Sequence, residues 1–233
     1  MCPPVVGESI GTKYRIMIDT MRIILASGSP RRKMFIDSLG IEYVVEQSEF
    51  DEYLDDDLIP EEVAQALARG KAQKVANNYA QDYVLGADTI VAVDGKQYGK
   101  PVDAAEAKDM LLRISGRTHQ VVTGVALINI NNNVLQSFAD TAHITFGVLP
   151  IDVIDAYIAT NDPYDKGGGY TMQHPLLKPY ITQITGDPMT IIGLPLRRVH
   201  SMLVSRGFVI PYTAKQSEER FLTSTHQDLR ILH

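Results

Sequence analysis

Residues Ile24 to Arg32 read ILASGSPRR and join two elements of different kind. The apolar run from Met21 to Ala26 has the length and composition of a short buried strand. Pro30 suits the first turn of a helix, where its missing N–H costs nothing, and that helix is expected to run to Leu39 and stop at Gly40. Ile41 to Val45 then reads as a second strand. A strand feeding a helix through Ser-Gly-Ser-Pro leaves backbone amides and the positive end of a helix dipole at the turn.

The same alternation continues. SEFDEYLDDDLIP is an acidic loop, and Pro60-Glu61-Glu62 opens a helix whose Val63, Ala66, Leu67 and Val75 keep helical spacing. Tyr83 to Val93 is a strand, expected to be interrupted at Gly86-Ala87-Asp88, and Asp94-Gly95 marks a hairpin turn. Asp103 caps a helix through Ile114. After Gly116 the period shortens: Gln120 to Ile130 and Val134 to Phe146 form a long hairpin around Asn131-Asn132-Asn133. Pro150 starts a helix to about Thr160, NDPYDKGGGY is a loop, and a short strand leads to a final helix from about Leu194 to Ser205. The pattern predicts an α/β fold, with a mixed sheet flanked by helices in two lobes and a central cleft.

Bulk properties narrow the function. The 233 residues are 45% hydrophobic, enough for a full core, and the net charge of −6 argues against a nucleic-acid binder held by a basic surface. One cysteine, Cys2, leaves no intramolecular disulfide and suits a reducing, cytoplasmic setting. No apolar run approaches the roughly 20 residues that span a bilayer, so no membrane association is expected. Residues 1–20 lack the basic start and apolar stretch of a signal peptide and read as an extension before a domain at 21–208. Residues 209–233 are polar with no clear apolar period from Thr213 on, and read as a loosely held tail.

Several stretches bear chemistry. In SGSPRR, Ser27 and Ser29 offer hydroxyls, Gly28 lets the backbone pass close to a ligand, and Arg31 and Arg32 carry planar forks matched to phosphate oxygens. An anion cradle and an ordinary N-cap serine with two solvated arginines both fit these residues. Asp88, in GADTIV, stands where α/β sheets place catalytic or metal-binding carboxylates, with Thr89 beside it as a hydrogen-bond donor, but on its own this does not outweigh a plain turn carboxylate. Glu52, in the acidic loop, and Asp88 together suit a hard cation that also takes phosphate oxygens. By spacing alone, Lys71 reads as a solvated helical lysine, Lys100 as a surface lysine pinned at a Gly-Lys-Pro turn, and His119 as a structural histidine. Asp165-Lys166 suggests an internal ion pair, and Gln173 a group that meets a base edge or positions water.

Taken together and in this order, ASGSPRR, GADTIV, GKP, SGRTHQVVTGVAL, DKGGGY and GLPL resemble the Maf family of nucleoside triphosphate pyrophosphatases, over roughly Met21 to Phe208. The resemblance implies a fold related to the inosine triphosphate pyrophosphatases. It also implies cleavage between the α- and β-phosphates of a nucleoside triphosphate with a divalent cation, Mg²⁺ or Mn²⁺, and the homodimer common in the family. It puts Ser27, Ser29, Arg31 and Arg32 in a phosphate-binding loop, with Thr89 and Gln173 also on the substrate side. Asp88, Lys71 and Lys100 become catalytic residues, and Glu52 and Asp88 metal ligands. Two cues conflict on the base. GADTIV and THQV resemble the dTTP/UTP branch, whereas Gly186-Asp187-Pro188 resembles a branch associated with 7-methyl-GTP. DKGGGYTMQH also departs from the common DKAGAYGIQG at Thr171, Met172 and His174. A pyrimidine nucleotide pyrophosphatase is the main expectation, and a nucleotide-binding regulator of septum formation is the alternative from another functional class.

Overall fold

In a computed structural model of the chain, the described residues are 21–51, 53–55 and 57–225. They form a seven-stranded mixed sheet. Strand β1 (Ile23–Leu25) lies between β2 (Tyr43–Val45) and β3 (Tyr83–Val93), parallel to both. Strand β4 (Lys96–Tyr98) folds back on the end of β3. Beyond β3 the sheet continues antiparallel through β5 (Thr118–Asn129), β6 (Val134–Phe146) and β7 (Ile181–Thr185). The mixed α/β sheet expected from the alternation is therefore present.

The chain reverses direction across β1. Helix α1 (Pro30–Leu39) connects β1 to β2, and helix α2 (Pro60–Ala76) returns from β2 to β3 on the other side of β1. The two helices cover opposite faces of the sheet. Phe35, Ile36 and Leu39 of α1 join the main core with Ile23 and Leu25, whereas Ala68, Ala72 and Val75 of α2 pack with Ile24 and Val84. Such a switch point leaves a crevice beyond the carboxyl end of the strands.

That crevice is widened by a gap in the sheet. β1 pairs only with Tyr83–Leu85, and β4 only with Val91–Val93, while β5 pairs along β3 from Val84 to Ala92. Residues 86–90 of β3 thus have no partner strand on the β1 side among the described residues. The expected interruption at Gly86-Ala87-Asp88 is not found: the unbroken ladder to β5 holds β3 straight through it.

Helix α3 (Ala104–Ile114) starts at Asp103, whose carboxylate accepts from the Glu106 amide as the sequence predicts. Helix α4 (Ile151–Ile158) and short 3₁₀ turns at Asp162–Asp165, Gly167–Gly169 and Lys178–Tyr180 lead to β7. Two short segments then follow, α5 (Pro188–Ile192) and α6 (Leu196–Ser205).

The chain does not end its ordered structure at α6, and this corrects the reading of a loose tail. Helix α7 (Ala214–Ser224) is capped by a Thr213/Gln216 capping box and docks on α1. Phe221 is fully buried and stacks on Phe35 with ring centroids 4.0 Å apart. The Arg197–Glu218 pair and the Arg220 Nε bond to Ser38 O hold its flanks. With no apolar residue between Ala214 and Phe221 the helix shows no apolar period, but a single aromatic in a matched slot is enough.

Truncating Phe221 to Ala removes this stack and leaves a cavity against α1. The expected loss is about 3 kcal/mol in urea unfolding. A methyl added at Gly124 would lie 2.1 Å from the Ala64 carbonyl oxygen, so Gly124→Ala should cost about 3 kcal/mol or more by lifting α2 from the sheet; unfolding midpoints test both.

Candidate active site

A cleft of about 920 Å³ opens at the gap in the sheet. Ser27, Ser29, Arg31, Arg32, Lys71, Asp88, Thr89, Lys100 and Gln173 all line it. Residues scattered over 147 positions of sequence thus share one cavity. Glu52 lies outside the described residues.

The gap explains how neighbouring β3 residues reach the same space. Asp88 points to the α2 face and Thr89 to the opposite face, as strand alternation requires. With no strand alongside, both faces open onto the cleft.

Asp88 is 6% exposed and Lys71 is 9% exposed, and Lys71 Nζ donates to Asp88 Oδ1. This pairing replaces the solvated lysine expected from spacing alone. The cause is the close seat of α2. A Cβ on Gly86 would stand 2.5 Å from Ala68 O, so the helix backbone rests directly on the strand. Lys71, one residue before Ala72 at that contact, is carried in with it.

Arg32 is held on three sides. Its Nε donates to Gly193 O at 3.0 Å, Nη1 to Ser27 Oγ at 3.3 Å and Nη2 to Thr89 Oγ1 at 3.0 Å. Thr89 Oγ1 therefore accepts from the guanidinium, and it also lies 2.8 Å from Thr123 Oγ1. Arg31 Nη1 reaches Thr171 Oγ1 at 3.5 Å. Ser29 occupies the N-cap of α1 but makes no side-chain cap, and its own amide donates to Ser27 Oγ at 3.3 Å. Gly28 lines the cleft, and a Cβ there would lie 2.8 Å from Gln47 Oε1, the far end of a flexible side chain.

The far wall comes from the glycine-rich segment. A Cβ on Gly167 would lie 2.7 Å from Thr89 O, so this backbone rests against β3. The predicted Asp165–Lys166 pair forms at 2.5 Å, and Asp162 joins it at 3.1 Å. Burial opposes ionisation of Asp162, but hydrogen bonds from Lys166 and Tyr157 outweigh it and hold the carboxyl below its ordinary range. Gln173 Nε2 and Ser48 Oγ are buried with no hydrogen-bond partner. Gln47 and Ser48 were not singled out from sequence, because a Gln-Ser pair in an acidic loop carries no spacing signal.

His119 is structural, as expected. It is 2% exposed, clusters with the rings of Phe146 and Tyr170, and shares a 2.6 Å hydrogen bond between Nε2 and the Tyr170 hydroxyl. Its contribution is to brace Tyr170, which lines the cleft. Burial, with a smaller push from His143, lowers the His119 imidazole from 6.5 to about 3.

A family model described as Maf-like protein matches residues 22–206. This chain belongs to the Maf family. The dTTP/UTP pyrophosphatase of Symbiobacterium thermophilum is 43% identical over 189 residues, covering 81% of this chain and 96% of that protein. The enzyme of the same name from Bacillus cytotoxicus is 43% identical over 178 residues, covering 76% of this chain and 92% of that protein. Among solved structures, the Ham1 protein of Staphylococcus aureus is 15% identical with a TM-score of 0.41, covering 54% of this chain and 71% of that one.

Within this Maf-like chain the conflicting base cues separate in space. Asp187 caps α5 by accepting from the Met189 amide at 2.9 Å, and a Cβ on Gly186 would lie 3.0 Å from Ala142 Cα. Among the described residues, Gly186, Asp187 and Pro188 do not line the cleft, whereas Asp88 and Thr89 of GADTIV do. Gly-Asp-Pro is a helix-start device here. Among the described residues, no helix is long and apolar enough to cross a membrane.

The lowered His119 makes stability pH-dependent. The unfolded state binds a proton below 6.5 and the folded state only near 3, so this contribution is complete above 6.5 and is lost as pH falls toward 3. Between pH 7 and pH 5, His119→Gln should lose about 2 kcal/mol less stability than the parent chain, measured by urea unfolding at the two pH values.

Proposed function

We propose that this protein hydrolyses dTTP and UTP between the α- and β-phosphates, releasing a nucleoside monophosphate and pyrophosphate in the cytoplasm. One observation carries the reading: Arg31, Arg32, Lys71 and Lys100 converge with Asp88 in a single cleft at the switch point of the sheet. A triphosphate brings several negative charges, and such a site neutralises them as the bond breaks. The relatives named dTTP/UTP pyrophosphatase support the pyrimidine preference.

In this reading, the Ser27–Ser29 loop and the uncapped start of α1 receive the phosphates through backbone amides. Arg32, fixed by Gly193, Ser27 and Thr89, presents a planar cation of set orientation. Asp88 orients the attacking water and accepts its proton as the bond to phosphorus forms. Lys71 neutralises Asp88 in the resting site and offsets the charge of the departing pyrophosphate together with Lys100. Gln173, with its unpartnered Nε2, is the residue best suited to meet a pyrimidine carbonyl.

The described residues contain no group of three or more His, Cys, Asp or Glu side chains suited to a metal. Asp88 nevertheless fits a Mg²⁺ or Mn²⁺ that takes one or two carboxylates and completes its shell with phosphate oxygens. We assign Asp88, with Glu52 as the second carboxylate, as the residues that would hold it. When bound, such an ion supplies charge neutralisation and polarises a phosphoryl oxygen.

Asp88→Asn should lower kcat for pyrophosphate release by at least about 100-fold when assayed below its own thermal transition, which the loss of the buried pair with Lys71 should lower. The assay runs dTTP, UTP, CTP, ITP and 7-methyl-GTP in parallel, with and without chelator. Chelator-sensitive turnover of dTTP or UTP supports the proposal. Turnover of 7-methyl-GTP alone, or full activity in Asp88→Asn, overturns it.

A further inference from the structure

Three threonines on separate elements close a ring with Arg32. Thr123, on β5, donates from Oγ1 to Thr190 O at 2.7 Å. A hydroxyl has one proton, so in the 2.8 Å contact between Thr89 Oγ1 and Thr123 Oγ1 the donor is Thr89. With its own proton committed, Thr89 turns its lone pairs to Arg32 Nη2 at 3.0 Å. Thr190 sits in α5, and the residue that ends α5, Gly193, supplies the carbonyl that accepts from Arg32 Nε at 3.0 Å. Both acceptors along that edge of the guanidinium therefore trace back to one anchor. Thr190 is itself tied down, donating from Oγ1 to Asp140 Oδ2 at 2.6 Å, while Asp140 Oδ1 accepts from Arg198 at 2.6 Å.

Thr123 and Thr190 are fully buried. Valine has nearly the same shape and carries no hydroxyl to desolvate, so packing alone does not ask for threonine at position 123. The hydroxyl brings direction. A chain of single-proton donors has only one arrangement here, and it ends with a lone pair facing Arg32. Two acceptors set the plane of the guanidinium, which a lone ion pair would leave free to turn.

We propose that Thr123 is a positioning residue that sets the orientation of Arg32 through Thr89, and through Arg32 the seat of the substrate polyphosphate. The second half of this statement rests on the nucleotide reading above. The first half concerns the protein alone.

Two measurements test it on the full chain. In the first, kcat and KM for pyrophosphate release from dTTP are compared for the parent, Thr123→Val and Thr123→Ser. Losing one oriented hydrogen bond should lower kcat/KM by about tenfold, chiefly through KM, with Ser restoring it. In an Arg32→Lys background, where no planar fork remains, Thr123→Val should cost less than about twofold more. Phe208→Leu, which weakens an edge contact with Tyr83 outside the cleft lining, serves as a control that lowers stability without lowering kcat/KM. In the second measurement, NMR follows exchange of the Arg32 Nε proton with water. Exchange should be slow in the parent, about tenfold faster in Thr123→Val and slow again in Thr123→Ser. Thr123→Cys, which fills the space but hydrogen-bonds weakly, takes the place of Val if that variant does not fold.

An unchanged kcat/KM in Thr123→Val, or an equal loss in the Arg32→Lys background, overturns the proposal while leaving the enzyme reading intact. A parent chain that releases no pyrophosphate overturns the enzyme reading instead. The exchange measurement then decides the positioning role, and an unchanged rate rejects it.

Discussion

Helix α2 lies almost in contact with the strand beneath it, and the cleft depends on that distance. Gly86 on β3 pairs with Ala126, Gly124 on β5 pairs with Asp88, and neither glycine has room for a methyl group under the helix backbone. Two bare positions on adjacent strands lower the helix until Lys71 meets Asp88. Both groups are more than nine-tenths buried, so their charges meet inside the packed seam between helix and sheet rather than in solvent. The packing constraint and the chemistry of the site are thus one feature seen at two levels.

The second determinant is what the sheet lacks. Because β1 ends at Leu25 and β4 begins its pairing only at Val91, a stretch of β3 is open on one side. An ordinary interior strand presents alternate residues to opposite layers, and Asp88 and Thr89 would then serve different compartments. The gap merges those compartments. It lets a carboxylate from the α2 side and a guanidinium from the α1 side act on the same ligand. The main core on the α1 side, which includes Phe35 and the docked Phe221, keeps α1 and its arginines in place.

Much of this was readable in advance. The strand–turn–helix at Ile24–Arg32, the cap at Asp103, the turn at Asp94-Gly95 and the long β5–β6 hairpin are local events with local causes, and they stand as expected. Their signals are a proline at a helix start, a carboxylate three residues before an amide, and a period of two. Where the reading failed, the cause was not local. Gly86-Ala87-Asp88 looks like a break, but ladder bonds from β5 carry the strand through it. Helix α7 has too few apolar positions to register as amphipathic, and it is held by one aromatic stack and a few charged contacts made elsewhere in the chain.

Residue identity and order along the chain were enough to settle the alternation of elements, the family resemblance and the roster of charged groups around a phosphate. Those properties follow from neighbours in sequence, through backbone propensity and short-range hydrogen bonding. Folding in three dimensions decided which of those groups meet. It paired Lys71 with Asp88, turned Thr89 into an acceptor for Arg32, and moved Gly186-Asp187-Pro188 out of the cleft into a helix cap. These outcomes depend on how closely a helix approaches a sheet and where a neighbouring strand stops. Such distances are set by contacts between residues 17 to 161 positions apart, and no local spacing in the chain encodes them.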